Sequence, residues 1–194
     1  MKGAALAAAM VLTIGSVIPY IRDILAGSTK PNIVSWMTWT LLGVVASLAQ
    51  FAAGEPVAAL FTAVVSLGPA LVVAVGLRFG YVKYTRFDVA CQVSALAGFG
   101  LWWAFSSPAV AVVAVVAINL AGALPTVRHA WTTPGEETWS AYALGAAGAA
   151  LALFALTTYN WVSLPYAVYL VVINATLVGV LLARRSAAGA RDDA

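Results

Sequence analysis

The sequence predicts an all-α membrane protein with seven transmembrane helices, and three observations lead to that class. Hydrophobic residues make up 63% of the 194 positions, and charged residues make up only 9%. A soluble globular protein carries roughly 25% charged residues, so this chain lacks the polar side chains needed to cover a water-facing exterior. The apolar residues also fall into blocks of about 20 positions, the length that crosses the hydrocarbon core of a bilayer.

Seven such blocks follow one another along the chain and are separated by short connections. Because the bilayer core offers no hydrogen-bond partners, each block must pair its backbone groups internally and is predicted to be helical. Residues 186–194 are too polar to continue the last block and are predicted to be a disordered tail. The predicted spans are, in order, Ala4–Ile24, Ile33–Ala53, Val57–Leu77, Phe87–Phe105, Ala109–Ala130, Thr138–Thr158 and Ser163–Ala183.

The basic residues predict the orientation of these spans. Every lysine and arginine except Lys2 falls at one predicted face, which the positive-inside rule makes cytoplasmic. The N-terminus is then outside and the C-terminus inside, which requires an odd number of spans. Trp36 and Trp39, near the inner end of span 2, are interpreted as anchors at the membrane–water interface. Short loops and an Ala-, Val- and Gly-rich composition favour a bacterial inner (plasma) membrane.

An internal repeat relates the two halves of the chain at an offset of about 105 residues. Span 1 ends with Pro19 and, three positions later, Arg22; span 5 ends with Pro125 and Arg128. The predicted organisation is a three-helix repeat in residues 1–78, a linker helix in 79–108 and a second three-helix repeat in 109–185. Because one span lies between them, the halves share the same orientation, which places a pseudo-two-fold axis along the membrane normal.

This 3+1+3 arrangement resembles the SWEET sugar transporters and, more broadly, the PQ-loop superfamily. The resemblance covers almost the whole chain and is strongest in architecture. The proline–glutamine pair that names the superfamily stands here as Pro19-Tyr20 and Pro125-Thr126, without either glutamine. The resemblance implies an alternating-access carrier of small solutes, with a sugar as the favoured candidate.

Polar residues inside predicted spans are candidates for solute binding because they are costly in a bilayer. Asn174 in span 7 falls where the resemblance places a pocket-lining asparagine, and Asn119 lies midway along span 5. An amide supplies both donors and an acceptor, which suits a hydroxyl-rich ligand. The alternative for either asparagine is a hydrogen bond between helices. Further candidates are Ser66, Gln50 and Tyr169.

The cytoplasmic ends of spans 1 and 5 are predicted to form a hinge and gate. A proline inside a helix removes a backbone hydrogen bond and kinks the chain, so Pro19 and Pro125 are a matched pair of hinge candidates. The alternative is that these are prolines of the kind that membrane helices tolerate. The accompanying gate candidates are Tyr20, Asp23 and Arg128.

The predicted function is passive uniport of a small polar solute. Proton-coupled carriers usually place a carboxylate or histidine in the membrane interior, and no charged residue falls in the middle third of any predicted span. The rival hypothesis is a non-transporting ligand or peptide receptor on the same fold. An enzyme is not expected, because no nucleophile is placed beside a base. Neither a cofactor, a metal nor nucleic acid is expected as a partner; the expected partners are the solute and the lipid bilayer, and a homo-oligomer is left open.

Overall fold

The computed structural model describes residues 1–78 and 108–192, with isolated positions 85, 86, 89, 90 and 93 between them. The secondary structure of these residues is helical. Predicted span 4, Phe87–Phe105, lies largely outside the described residues. A short 3-10 turn at Pro134–Glu136 precedes the sixth helix. The helices are α1 (Lys2–Gly15), α2 (Val17–Leu25), α3 (Ile33–Ala52), α4 (Pro56–Arg78), α5 (Pro108–Thr132), α6 (Trp139–Ala155) and α7 (Leu164–Asp192).

Five helices of the described chain are long and apolar enough to cross a membrane. One is the continuous stretch Lys2–Leu25, which joins α1 and α2; the others are α3, α4 and the apolar parts of α5 and α7. Helix α6 is apolar but shorter. By length and composition these are the helices of an integral membrane protein. Helix α7 continues to Asp192, into the residues predicted as the tail.

The helices pack side by side in a closed ring. Helix α1 packs against α4, α4 against α3, and α3 against α5; α5 then packs against α7, α7 against α6, and α6 back against α1. Four of these six helix contacts lie within one half of the chain, and two join the halves, α1 with α6 and α3 with α5. A ring of this kind leaves a central space that every helix can reach.

Hydrogen bonds at the helix ends assign each connection to one of two faces. On the first, the Lys2 ammonium donates to the carbonyl of Leu156 at 2.7 Å, and the Asn160 amide donates to Glu55 at 2.7 Å. This is called the Glu55 face. It gathers the N-terminus, the α3–α4 connection and the α6–α7 connection.

The opposite face, called the Glu137 face, gathers the α2–α3 connection, the α5–α6 connection and the C-terminal end of α7. The backbone N–H of Lys30 donates to the carbonyl of Glu136 at 3.0 Å, and Arg185 on α7 donates to the carbonyl of Pro134 at 3.0 Å. Helix α4 also ends on this face, because Gly76 packs against the Ile33 side chain at the start of α3.

The two described segments therefore end and begin on opposite faces. Helix α5 ends at Thr132 on the Glu137 face. Its 25 residues rise about 1.5 Å each and are long enough to cross a bilayer, so its first residue, Pro108, lies on the Glu55 face. Spans 1 and 5 consequently run in the same direction.

The two matched prolines have different local effects. Pro19 has no N–H to donate to the carbonyl of Gly15, and Ser16 stands between α1 and α2. Pro125 lies inside α5, which is unbroken. Ser16 keeps helical backbone angles, with φ −61° and ψ −26°, so the stretch continues in helical conformation there and a hinge stays a prediction for both prolines.

Candidate functional site

A cavity of about 90 Å³ lies at the centre of the helix ring. A single water molecule needs only ~10–15 Å³ by the same measure, so the cavity has room for several waters or part of a small solute. Residues from every described span line it, and aromatic rings form much of its wall. These aromatic residues are Tyr20, Trp36, Trp39, Tyr142, Tyr166 and Tyr169.

Both predicted asparagines line this cavity. Each donates its amide nitrogen to the carbonyl four residues earlier in its own helix, Asn119 to Val115 at 2.9 Å and Asn174 to Leu170 at 2.8 Å. The Oδ1 atom of Asn119 is buried and has no hydrogen-bond partner among the described residues. An unsatisfied buried acceptor costs free energy, which a donor on a bound solute would recover.

Trp36 and Trp39 line the cavity and do not act as interface anchors, contrary to the sequence interpretation. Their rings meet edge to face with centroids 5.0 Å apart, and Trp36 packs on Tyr20 with centroids 4.7 Å apart. Each indole Nε1 is buried beside a tyrosine hydroxyl, that of Tyr20 for Trp36 and that of Tyr169 for Trp39. The wall therefore combines apolar aromatic faces with indole and hydroxyl groups and one unused acceptor, Oδ1 of Asn119.

Two other predicted binding residues lie away from the cavity wall. The Ser66 hydroxyl donates to the carbonyl of Thr62 at 2.8 Å and lies against Gly43, where a Cβ atom would come within 2.2 Å of its Oγ. Gln50 donates to the carbonyl of Val162 at 3.2 Å, near the Glu55 face. Of the predicted binding residues, Asn119, Asn174 and Tyr169 come together around one space, and Ser66 and Gln50 do not.

At the Glu137 face, the cavity ends at a carboxyl group held by two tyrosines. Tyr20 donates to Oε2 of Glu137 at 2.9 Å and Tyr142 donates to the same oxygen at 2.8 Å. Both tyrosines line the cavity, and the Glu137 side chain lies behind them, 1% exposed. Tyr20, Glu137 and Tyr142 are called the tyrosine–glutamate gate.

Burial shapes the chemistry of the Glu137 carboxyl. Removal from water raises the pKa of Glu137 to about 7, although the hydrogen bonds from Tyr142 and Tyr20 lower it. The neighbouring Glu136 raises the pKa further, and Arg185 lowers it. Burial thus favours the neutral acid form of Glu137.

Further bonds join the two halves beside this gate. The hydroxyls of Thr29 and Thr138 are 2.7 Å apart, and Thr138 donates to the Asp23 carboxylate at 2.9 Å. Lys30 forms an ion pair with Glu136. Asp23 therefore bonds across the contact between the halves, and Arg128 is exposed on α5.

The Glu55 face is also bridged between the halves. The Glu55 carboxylate accepts hydrogen bonds from Thr158 and from Asn160, and the Gln50 and Lys2 bonds lie at the same face. The cavity consequently lies between two sets of contacts that hold the first half of the chain against the second.

Sequence reasoning missed the two buried carboxyl groups. Glu137 and Glu55 both lie in short connections, where acidic residues are ordinarily solvated. Their burial depends on partners more than 100 positions away, Tyr20 for Glu137 and Asn160 for Glu55. The only available signal was that each precedes a transmembrane helix directly, and that signal does not distinguish a buried carboxyl from an exposed one.

The chain matches no family model, no curated protein and no solved structure. Within the described ranges, no three His, Cys, Asp or Glu side chains gather closely enough to hold a metal ion. The cavity and the contacts at its two ends are therefore the features from which a function can be inferred.

Proposed function

We propose that this protein is a carrier that moves a small, uncharged polar solute across a membrane by alternating access. The observation that carries the proposal is the central cavity with a set of contacts between the halves at each end. Releasing the contacts at one face while keeping those at the other would open the cavity to one side at a time. The structure described above would then be the state in which the contacts of both faces are formed.

The positions that line the cavity support a two-fold relation between the halves. Four pairs of lining residues are separated by the same 106 positions, which is the spacing of the two prolines. Exchanging α1 with α5, α3 with α6 and α4 with α7 also reproduces the order of helices around the ring. Equivalent helices would thus supply equivalent wall positions. The pairs are Thr13 with Asn119, Trp36 with Tyr142, Trp39 with Gly145, and Gly68 with Asn174.

The direction of the spans supports seven crossings. Arg78 ends α4 on the Glu137 face and Pro108 begins α5 on the Glu55 face, which agrees with the span predicted from the sequence of residues 79–107. Their number suffices for one span of about 20 residues with its connections. We therefore propose the 3+1+3 repeat with the Glu137 face cytoplasmic, because Arg22, Lys30, Arg184 and Arg185 lie there.

The cavity wall favours a solute without net charge. Of the described residues that line it, none is Asp, Glu, Lys, Arg or His, so an ion entering would lose its hydration without a compensating charge. Aromatic faces beside amide groups suit the mixed apolar and hydroxyl surface of a sugar, in agreement with the SWEET resemblance. Binding that uses no ion in the cavity is consistent with passive uniport.

Counterflow in proteoliposomes tests this function. Purified protein, reconstituted without an ion gradient, is expected to exchange radiolabelled sugars in a saturable way, and amino acids and vitamins serve as the comparison panel. If folded protein exchanges no solute of the panel, the carrier proposal is overturned and the rival hypothesis of a non-transporting receptor is favoured.

Removing the two asparagine amides tests the binding site. Asn174→Ala and Asn119→Ala are each expected to lower counterflow roughly 5- to 150-fold at limiting solute, because one well-placed hydrogen bond to a buried group contributes roughly 1–3 kcal/mol. Thr176→Ala is the matched control: Thr176 is on the same helix as Asn174, but its exposed hydroxyl bonds only to its own backbone. Full activity in both asparagine variants would contradict the cavity as the binding site.

A further inference from the structure

The Glu137 carboxyl is buried without a neutralising partner side chain. Oε2 accepts both tyrosine hydrogen bonds, and Oε1 has no hydrogen-bond partner among the described residues. The nearest cation, Arg185, donates to the backbone carbonyl of Glu137. An ionised carboxylate in this position would leave one charged oxygen without a donor, which is costly away from water.

The position of this carboxyl ties its hydration to the gate. Tyr20 belongs to α2 in the first half of the chain, whereas Glu137 and Tyr142 belong to the second half. Separating α2 from the start of α6 would break the Tyr20–Glu137 hydrogen bond and admit water from the Glu137 face. The closed gate therefore buries the carboxyl and the open gate hydrates it.

We propose that Glu137 is a proton-binding site whose occupancy holds the tyrosine–glutamate gate closed. The neutral acid can stay buried in the closed state, whereas the ionised form is stabilised by the water of the open state. This inference rests on the proposed carrier function, because it states what controls opening at one face. The proton enters and leaves from that same face, so solute movement remains downhill and only its rate depends on pH.

Of the charged groups around the gate, Glu137 is the one whose protonation we expect to change when the gate opens. Helix α2 and the following connection carry Arg22, Asp23 and Lys30. Asp23 bonds to Arg22 and Thr138, and Lys30 pairs with Glu136. On α5 and the turn are Arg128, His129 and Glu136, and the last two lie 3.5 Å apart. Arg185 is the charged contact from α7. An imidazole ordinarily titrates near neutral pH, so His129→Gln is needed as a control.

The direction of the pH effect follows from linkage. The pKa of Glu137 is raised to about 7 in the closed state and returns toward its ordinary value near 4.5 when water enters. Between those values the closed state binds more protons than the open state. Each unit of acidification in that range is expected to favour closure by up to tenfold, and the effect disappears above the higher value.

Two measurements on the intact protein test the proposal. The first follows the carbonyl stretch of protonated carboxylic acids by infrared spectroscopy while pH is varied, and it requires no solute. A band that titrates near pH 7 is expected in the unsubstituted protein and in Glu55→Gln, the matched variant at the opposite face. The band should be missing in Glu137→Gln. In Tyr20→Phe, the titration should move to higher pH, because a hydrogen bond to the ionised form is lost.

The second measurement is counterflow as a function of the pH at the Glu137 face. The rate is expected to fall about tenfold from pH 8 to pH 6 in the unsubstituted protein, in Glu55→Gln and in His129→Gln. Glu137→Gln, permanently neutral, should be slow and independent of pH.

Absence of the titrating band, or its persistence in Glu137→Gln, would overturn the proton site. Equal pH dependence of transport with and without Glu137 would overturn its control of the gate. A normal titration in a protein that exchanges no solute would instead refute the carrier function.

Discussion

Gly148 lies where α6 crosses α1, and the contact leaves no space for a side chain. A Cβ atom there would fall 2.4 Å from the Thr13 hydroxyl and 3.0 Å from the backbone oxygen of Ala9. The hydroxyl could move, but the backbone oxygen belongs to the helix itself. Small residues that allow this kind of approach are typical of helix contacts in membranes. Gly148 therefore sets the distance across one of the two contacts between the halves.

Gly148→Ala is expected to destabilise the protein by roughly 1–3 kcal/mol, the usual cost of overpacking. Thermal unfolding in detergent, followed by circular dichroism, measures the effect. Gly179→Ala is the matched control, because a Cβ at Gly179 would meet nothing within 4 Å. That control should be neutral or more stable by up to about 1 kcal/mol, since alanine has the higher helix propensity. Equal unfolding temperatures for the two variants would contradict a close α1–α6 contact.

The site residues that could be predicted are those whose polarity stands out within a single apolar helix. Asn119 and Asn174 stand out because an amide is conspicuous inside an apolar block, and both line the cavity. Trp36 and Trp39 were assigned to the interface because their sequence neighbourhood is that of a helix end. Which side of α3 faces the cavity depends on packing against other helices. The burial of Glu137 depends in the same way on Tyr20, which is distant in sequence and adjacent in space.

Among the elements, the junction of α1 and α2, where Pro19 removes one backbone hydrogen bond, is the place at which we expect bending. Ser16 separates the two helices, and Pro19 lacks the N–H that would bond to the Gly15 carbonyl. Helix α2 carries Tyr20 and Asp23, both of which bond to the second half. A small rotation of α2 about Ser16 would therefore release the contacts of the Glu137 face without moving α1.

Pro19→Ala is expected to restore the backbone hydrogen bond to the Gly15 carbonyl and to slow solute counterflow several-fold while raising thermal stability. The restored N–H adds a backbone hydrogen bond, and a stiffer helix resists the rotation that opens the gate. Pro125→Ala is the comparison, because α5 is already unbroken at that position. Counterflow measured at equal amounts of folded protein gives the answer. A larger effect of Pro125→Ala than of Pro19→Ala would place the hinge in α5 instead.

Helix positions were largely predictable because they follow from local hydropathy. The predicted span Ile33–Ala53 corresponds to α3 at Ile33–Ala52, and Val57–Leu77 corresponds to α4 at Pro56–Arg78. The end of α7 was not predictable in this way: the residues after Ala183 are polar, yet they continue the helix to Asp192. Hydropathy reports where a helix must be apolar to cross lipid, and it is silent about where a helix extends into water.

At the scale of the whole molecule, the closed ring explains how local events at the two faces would be coupled. Among the described residues, the most extensive contacts between the halves are α1 with α6 and α3 with α5, and α2 makes a smaller one with α6. The remaining bonds between the halves lie at the Glu55 and Glu137 faces. If each half moves as a unit about the two most extensive contacts, spreading one face compresses the other. The contacts at the Glu55 face and those of the tyrosine–glutamate gate would then not be open at the same time.

This arrangement makes a definite prediction about topology. In a variant with Cys91→Ser, which removes the only native cysteine, single cysteines report the side of the membrane at which they lie. Thr157→Cys, exposed at the Glu55 face, should react with a membrane-impermeant maleimide added to intact cells. Gly135→Cys, exposed at the Glu137 face, should react only after the cells are permeabilised, because the positive residues make that face cytoplasmic.

Each outcome of the labelling has a distinct meaning. Reaction at Gly135→Cys and protection at Thr157→Cys would reverse the orientation while leaving the two faces intact. Reaction at both sites in intact cells would contradict the assignment of these connections to opposite sides of one bilayer, and with it the alternating-access carrier. The expected pattern would place Glu137 in contact with the cytoplasm when the gate opens, so the cytoplasmic pH would be the one that sets the rate of transport.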